Sequence, residues 1–295
     1  MIRIATRGSA LARWQAEHVA ALLGGAELVV VDTVGDRDKA TSLSQLGGRG
    51  IFVKEVQAAV LDGRADVAVH SAKDLPSAPT PGLVLAAVPE RDDPRDALVG
   101  STLEGLPVGA RVGTGSVRRR AQLAWARPDL TFGGLRGNID TRLAKASDFD
   151  AIVMAAAALR RLERTFVIDE VLDTSIVLPQ VGQGALAVEC RSDDMRVRDT
   201  LARIDHEPSR TAVEAERAYL REIGEGCELP VGALATIGAG GRITLTGMIA
   251  SLDGHVLLRH AETGDDALSV GRSVARHLLD EGGASALLAS DAVEP

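Results

Sequence analysis

The chain has 295 residues, of which 45% are apolar and only 2% aromatic, and its formal net charge is −8. This length allows two or three domains, whose cores must be built from Ala, Val, Leu and Ile. The acidic balance argues against a general nucleic-acid binder, because such domains are usually basic. Basic residues nevertheless cluster at 118–120, which indicates a specific anionic ligand.

The two cysteines, Cys190 and Cys227, are too few for a disulfide framework. Their spacing resembles no zinc site, so no metal is expected. No apolar run reaches the roughly 18 residues that a membrane span needs, and the N-terminus shows no signal-peptide pattern. These features predict a protein of the reducing cytoplasm that binds no membrane and no nucleic acid.

The first predicted elements are a strand over residues 2–6 and a helix that Ser9 caps. With Arg7 beside it, this helix N-terminus is a natural seat for a carboxylate or phosphate. Gln15 lies on the same helix and, taken alone, is best interpreted as an exposed side chain. The residues that recur at helical spacing in this segment are Leu11, Trp14, His18 and Leu22.

The next segments are predicted as a strand over 28–34, a glycine-rich loop over 35–50 and a helix ending at Gly63. A long glycine-rich loop inside a compact domain is often functional. Phe52, Val56, Ala59 and Val60 form the apolar stripe of the helix.

A buried strand is predicted over 67–69, and Lys73 and Asp74 follow it directly, before a proline-rich loop. In open α/β sheets, ligands bind at the carboxyl ends of strands, so these two charges lie where chemistry usually occurs. An ionised carboxylate there could stabilise a cation that develops in a substrate. The alternative is a solvated loop pair. A further strand is predicted over 83–88.

A second unit is predicted after the charged stretch 90–94, with strands at 97–99 and 111–113. Thr114 and Ser116 then open a helix that carries Arg118 and Arg119 in its first turn, a pattern typical of an anion cradle. It is neither a P-loop nor a dinucleotide fingerprint, and the alternative is a basic solvated helix face.

The corner at 135–142 repeats this arrangement of arginines at a helix start. Asn138 caps the next predicted helix, so Arg136 precedes its N-terminus and Arg142 lies in its first turns. Further strands are predicted over 150–154, 176–178 and 186–190, the last ending in a buried Cys190.

A strong helix is predicted over 209–223, and it ends in a loop that holds Cys227 between glycine and glutamate. Exposure and flexible neighbours suit a thiol that does covalent chemistry, although an incidental loop cysteine is an equal alternative. Antiparallel strands within 231–259 and helices over 267–279 and 284–288 complete a small α+β domain.

Six segments taken together resemble the porphobilinogen deaminase (hydroxymethylbilane synthase) family. They are Arg3–Ser9, His70–Pro76, Gly113–Arg119, Leu135–Asn138, Val181–Ala185 and Gly226–Pro230. The resemblance implies an α/β fold of two periplasmic-binding-protein-like lobes with mostly parallel sheets, plus a small α+β C-terminal domain. The implied boundaries are 1–90 with 185–204 for the first lobe, 95–180 for the second, and 207–295 for the domain with the cofactor cysteine.

The activity that this resemblance implies is a transferase of tetrapyrrole biosynthesis. Four porphobilinogen molecules are condensed head to tail, with loss of ammonia, on a dipyrromethane cofactor that a thioether joins to Cys227. The implied catalytic carboxylate is Asp74. The implied cofactor-binding residues are Lys73, Thr114, Ser116, Arg118, Arg119 and Arg136. The implied substrate-binding residues are Arg7, Ser9, Gln15, Arg136 and Arg142.

Arginine suits such ligands because its planar fork binds carboxylates bidentately. The resemblance also implies a monomer whose only partner is porphobilinogen. A hypothesis of another class is a non-catalytic, two-lobed anion-binding or sensor protein, which would need neither Asp74 nor Cys227.

Overall fold

The computed structural model describes residues 1–32, 53–224 and 229–291, with side chains described up to 288. The expected loop at 35–50, Phe52 and Cys227 lie outside these residues. The strands are β1 Ile2–Arg7, β2 Ala26–Val31, β3 Val67–Ser71, β4 Leu83–Ala87, β5 Asp96–Val99, β6 Arg111–Gly113, β7 Thr131–Gly133, β8 Ala151–Ala155, β9 Glu170–Val171, β10 Leu186–Arg191, β11 Val231–Ile237, β12 Ile243–Ala250 and β13 Leu257–Gly264. The helices are α1 Ala10–Leu22, α2 Lys54–Leu61, α3 Val117–Ala126, α4 Ile139–Ala144, α5 Ala156–Arg161, α6 Met195–Leu201, α7 Glu207–Ile223, α8 Ala267–Arg276 and α9 Ala284–Asp291.

Two five-stranded sheets of the same design form the two lobes. Their orders are β2-β1-β3-β10-β4 and β7-β6-β8-β5-β9. In each sheet four strands point one way, and the fifth, β10 or β5, is antiparallel to both of its neighbours. The structure is therefore α/β with mostly parallel strands, as the sequence predicts. β5 follows directly from the first lobe in sequence, and β10 returns to that lobe from the second.

The third sheet is an antiparallel meander in the order β11-β12-β13, separate from the two lobes. α7 and α8 cover it, and Tyr219, Leu245 and Val274 lie in their shared core with no exposed surface. The phenol of Tyr219 donates a hydrogen bond to Met248 O at 2.8 Å. This is the small α+β domain that the sequence predicts.

Glu216 on α7 joins this domain to both connections between the lobes. Its carboxylate has no exposed surface and accepts hydrogen bonds from Arg91 at 2.6 Å, from Gly182 N at 2.7 Å and from Ala235 N at 2.9 Å. Arg91 belongs to the outgoing connection, Gly182 to the returning one, and Ala235 to β11. One buried carboxylate thus fixes the three parts against one another.

Several predicted elements differ from the observed ones. The segment 176–178 is not a strand: Ile176 N and Val177 N bond to Asp173 O in a turn, and Leu178 N donates to the Gln122 side chain. A side chain and a turn therefore accept the backbone hydrogen bonds that a neighbouring strand would otherwise accept. The short strand β9 lies before this turn, and β7 was not predicted. The helix predicted over 267–279 ends at Arg276 and continues as a π-helical turn over His277–Glu281.

The buried face of α1 also differs from the predicted spacing. It consists of Gln15, Ala16, Val19 and Ala20, whereas Leu22 is exposed. Small side chains allow this helix to lie close to the sheet, so the larger apolar residues fall on its flanks. The interpretation of Gln15 as an exposed side chain is therefore wrong.

Candidate active site

Asp74 stands at the carboxyl end of β3, as its position in the sequence predicts. A single 3₁₀ turn, Ala72–Asp74, follows the strand and leaves the Asp74 side chain half-buried. It lines a cleft of about 50 Å³. Residues of β1, α1 and β3 line the same cleft, and they include Arg7, Ser9, Gln15, His70 and Ser71.

The first turns of α1 form one wall of this cleft. The Ser9 hydroxyl accepts a hydrogen bond from Ala12 N at 3.3 Å, which caps the helix. Gln15 is 3% exposed, and its amide donates to Ser71 Oγ at 2.8 Å. This bond fixes the helix to the end of β3 just before the turn that carries Asp74.

Lys73 connects the cleft to the returning connection between the lobes. Its Nζ donates to Gln183 Oε1 at 3.3 Å. Burial and the positive charges of Arg119 and Arg142 lower the pKa of Lys73 to about 8, although Asp74 opposes the shift. Gln183 in turn donates to Asp96 Oδ1 at 2.8 Å, so a single amide links a lysine of the first lobe to a carboxylate of the second.

Asp96, the first residue of β5, is the centre of a buried ion network. Arg118 Nη2 and Arg119 Nη2 each lie 2.7 Å from its carboxylate. Burial alone would raise the pKa of Asp96, but the two guanidinium groups outweigh it and hold that pKa well below its usual range. The remaining donors of Arg118 and Arg119 reach Leu178 O at 2.6 Å and Val153 O at 3.0 Å.

Both arginines therefore direct their hydrogen bonds inward, although Arg118 Nε has no hydrogen-bond partner among the described residues. The basic helix face expected as an alternative at this position is not solvated, since Arg118 is 4% exposed and Arg119 6%. Their role toward a cofactor stays a prediction.

Two strand-to-helix corners of the second lobe, at 113–117 and 133–139, touch each other. Ser116 caps α3 by accepting from Arg119 N at 3.4 Å, and Thr114 Oγ1 accepts from Ser116 N at 3.2 Å. A Cβ on Gly115 would lie 2.7 Å from Leu135 O, so only glycine allows the loop with Arg136 to approach this corner. Arg136 itself is exposed.

Arg142, on α4, lies close enough to Asp74 for their charges to interact. Burial and the charge of Arg119 lower the pKa of Arg142 to about 10, whereas the charge of Asp74 acts to raise it. Arg142 is half-buried, and its Nε donates to Gly137 O at 2.8 Å. The structure thus brings together Lys73, Asp74, Arg119 and Arg142 from two lobes.

The residues present fit a ligand that carries carboxylates. Lys73, Arg119 and Arg142 lie close enough for their charges to disfavour one another, and an anion between them would remove that repulsion. No group of three metal-binding side chains occurs in residues 1–32, 53–224 and 229–291.

Sequence reasoning missed Gln183, Asp96 and Glu216 as parts of the site's support. Gln183 lies in the segment 181–185 that carries part of the resemblance, which was the available signal. The sequence offered no such signal for Asp96 and Glu216. A single acidic residue in a strand or helix is expected to be exposed unless its hydrogen-bond partners are known.

The fold and the cleft define a class: a two-lobed α/β protein with a third domain, whose cleft is lined by the first lobe and whose charged residues from both lobes lie close together beside it. Two family models match the chain, the dipyrromethane cofactor binding domain of porphobilinogen deaminase over residues 2–199 and its C-terminal domain over 210–280. The chain belongs to the porphobilinogen deaminase family.

Curated relatives support this assignment over nearly the whole length. A porphobilinogen deaminase of Brevibacillus brevis is 45% identical over 97% of this chain and 96% of its own. One of Moorella thermoacetica is 48% identical over 95% and 94%, and one of Chromobacterium violaceum is 46% identical over 100% and 99%.

Solved structures similar to this chain include binding proteins. A periplasmic binding protein of Salmonella typhimurium with high arginine specificity is 14% identical, with a TM-score of 0.37 over 69% of this chain and 91% of its own. A YaeC-family lipoprotein of Enterococcus faecalis is 14% identical, with a TM-score of 0.38 over 70% and 91%.

The family assignment makes the chain an enzyme, a transferase of tetrapyrrole biosynthesis that uses a dipyrromethane cofactor. It confirms the predicted activity over the alternative of a non-catalytic anion-binding or sensor protein. Among the described residues, no helix has the length and apolar character to cross a bilayer.

Proposed function

We propose that Asp74 is the catalytic carboxylate with which this chain condenses four porphobilinogen molecules into hydroxymethylbilane. The observation that carries this proposal is the position of Asp74: a half-buried carboxylate at the end of β3, in a cleft, with its charge interacting with that of Arg142. Loss of ammonia leaves an electron-poor, cationic pyrrole. A preorganised anion beside its N–H stabilises that charge as it develops, and it can also accept or return a proton.

The cationic and polar residues of the cleft hold the carboxylates of the growing chain. For the cofactor these are Lys73, Thr114, Ser116, Arg118, Arg119 and Arg136, with the thioether at Cys227. For the substrate they are Arg7, Ser9, Gln15, Arg136 and Arg142. When bound, the dipyrromethane supplies the pyrrole end to which the first porphobilinogen is joined. Lys73 and Arg142, whose pKa values are lowered, gain most from an anion because it offsets their mutual repulsion.

The wider assignments extend this proposal. The chain acts in the cytoplasm as a monomer, takes porphobilinogen as its small-molecule partner and binds no nucleic acid. Its lobes span 1–90 with 185–204 and 95–180, and its C-terminal domain spans 207–295. The sheet memberships of β5 and β10 support these boundaries.

Intact mass tests the cofactor attachment. Purified protein should carry the added mass of two pyrrole units, and Cys227→Ser should lack it, whereas Cys190→Ser should keep it. Cys190 is the matched control because it is fully buried and burial raises its thiol pKa to about 11. An active protein whose Cys227 is unmodified and freely alkylated would contradict the proposal.

Turnover of Asp74→Asn tests the catalytic role. This variant should fold and keep the adduct, but its kcat should fall by about 10²–10⁴-fold, because a preorganised charge and a proton-transfer group are both lost. The control is Asp62→Asn, which removes an exposed carboxylate of the same lobe. Near-normal turnover of Asp74→Asn would remove Asp74 from this role.

A further inference from the structure

Three arginines lie on one face of α7 and point at backbone carbonyls of the first lobe. Arg210, Arg217 and Arg221 are spaced by seven and four residues, which places them in one row on a helix. Arg210 donates to Leu85 O at 3.2 Å and to Ala86 O at 2.9 Å. The other two reach a different segment, the loop that directly follows Asp74.

The contacts of Arg217 and Arg221 converge on two carbonyl groups. Arg217 Nη2 donates to Pro76 O at 2.8 Å and to Ser77 O at 3.2 Å, and Arg221 Nη2 donates to Ser77 O at 3.3 Å. Ser77 is 1% exposed and Leu75 4%. A backbone carbonyl removed from water needs a donor, and here charged side chains of another domain supply it.

These carbonyls lie two and three residues after Asp74. On its other side, the Asp74 turn is held by the β3 pairing and by the hydrogen bond from Ala72 N to Ala185 O at 3.0 Å. The contacts from α7 therefore complete the fixation of a short segment whose one half-exposed carboxylate must be placed accurately. A shift of about 1 Å in a catalytic group can cost on the order of 10²-fold in rate.

We infer that Arg217 and Arg221 are positioning residues for the transferase reaction, which act by fixing the loop after Asp74 to α7. The inference rests on the proposed role of Asp74. It also gives α7 two roles: the helix fixes the loop after Asp74, and it leads to the proposed cofactor attachment, since it ends at Ile223, four residues before Cys227 in the sequence. The helix that leads to the anchor of the growing chain is thus the one that holds the catalytic turn.

The test compares Arg217→Met and Arg221→Met with Arg210→Met. Methionine keeps the apolar stem and removes the donors. Arg210→Met is the matched control because it loses two carbonyl contacts on the same helix face and, in addition, the ion pair with Asp205 at 2.7 Å. Its stability should therefore fall at least as much as that of the other two variants.

We expect Arg217→Met to carry the two-pyrrole adduct, with a kcat lowered by about 10–100-fold and a KM within about threefold of the parent value, as displacement of a catalytic group predicts. Arg221→Met, which loses one contact, should show a smaller fall. Arg210→Met should keep kcat within about twofold. Arg217→Lys should recover part of the loss because an ammonium can still donate to one carbonyl.

Hydrogen–deuterium exchange gives a readout independent of turnover. The backbone amides of the non-proline residues within 75–82 should exchange faster in Arg217→Met and Arg221→Met, and at the parent rate in Arg210→Met. Unchanged exchange in this segment, or equal kcat for all three variants, would overturn the inference. The outcome is separable from that of Asp74 itself: if Asp74→Asn is inactive and Arg217→Met is fully active, only the positioning role fails.

Discussion

Two carboxylates at the junction of the lobes, Asp74 and Asp96, differ in burial, and this difference separates a structural role from the catalytic role proposed for Asp74. Asp96 has no exposed surface, and its oxygens accept from Arg118, Arg119 and Gln183. Asp74 is half-buried and opens onto the cleft. A carboxylate whose oxygens already accept hydrogen bonds from fixed donors cannot change partners during a reaction. A carboxylate that is accessible from a cleft can accept a hydrogen bond from a ligand. The same type of side chain therefore has a structural role at Asp96, whereas at Asp74 it keeps the accessibility that the proposed catalytic role requires.

Replacement of the buried carboxylate should have the largest effect on folding. Asp96→Asn leaves two buried guanidinium groups without a counter-charge, so the free energy of unfolding should fall by about 3–5 kcal/mol. Chemical denaturation measures this. Asp74→Asn should unfold near the parent midpoint, and Asp129→Asn, which removes an exposed ion pair with Arg127, should do the same. Equal destabilisation by all three would erase the distinction between the two carboxylates.

The stabilisation contributed by the ionised Asp96 carboxylate should also depend on pH, and the depressed pKa fixes the direction of this dependence. The folded-state pKa of Asp96 is depressed. Its stabilisation is therefore complete above the unfolded-state pKa of about 4 and is lost as the pH falls through the lower folded value. Between pH 6 and acid, the unfolding free energy of the parent should fall more steeply than that of Asp96→Asn. Parallel curves would contradict this.

The returning connection between the two lobes should tolerate no side chain at position 184. Gly184 has φ +84° and a Cβ there would overlap Asp92 O, so Gly184→Ala should cost more than the roughly 1–2 kcal/mol of a left-handed backbone alone. Gly240→Ala is the control, because Gly240 has φ +73° with nothing within 4 Å. Its unfolding midpoint should drop less than that of Gly184→Ala; the reverse order would refute the close approach.

Lys73 links the two carboxylates, and its charge state can be read by chemical labelling. Burial and the nearby arginines lower its pKa to about 8, so its reaction with an amine-directed reagent should rise with a midpoint near pH 8. Lys73→Arg should lose this labelled site. Addition of a carboxylate ligand to the cleft should move the midpoint upward, since an anion favours the ammonium. A midpoint near the ordinary lysine value of about 10.4 would contradict the burial.

The smallest expected effect concerns the cap of the helix that carries Arg118 and Arg119. Ser116→Ala removes the acceptor for Arg119 N and should lower the free energy of unfolding by about 1 kcal/mol. Asp266→Ala, which uncaps α8 in the C-terminal domain, should cost a similar amount. Only Ser116→Ala should also lower the fraction of protein that carries the two-pyrrole adduct, because the proposal places Ser116 among the cofactor-binding residues. An adduct fraction equal to that of Asp266→Ala would exclude a cofactor-binding role for Ser116.

The sequence predicts those parts of the molecule that local chemistry determines. Caps such as Ser9, Ser116 and Asn138 are visible because a side chain satisfies amides a few residues away. Asp74 is placed correctly because an apolar strand followed by charges has few arrangements in an α/β sheet.

Residues whose partners are distant in sequence could not be predicted in this way. Gln15 can be buried because its side-chain amide donates a hydrogen bond to Ser71. Ser71 lies 56 residues further along the chain, so the sequence around Gln15 does not reveal this partner. The segment 176–178 does not form a strand because two side chains of α3 bond to its backbone. Leu178 N donates to the Gln122 side chain, and Leu178 O accepts from Arg118. In both cases a tertiary contact overrides a local preference.

The strand order of the first lobe constrains how the chain can be made. β10 lies between β3 and β4, and among the described strands it is the only hydrogen-bonded neighbour of β4. A ribosome therefore completes the whole second lobe before it releases the residues that close the first sheet. A nascent chain stopped before residue 186 leaves β4 with no edge to join, so maturation of the Asp74 pocket is timed by the synthesis of a segment more than a hundred residues downstream.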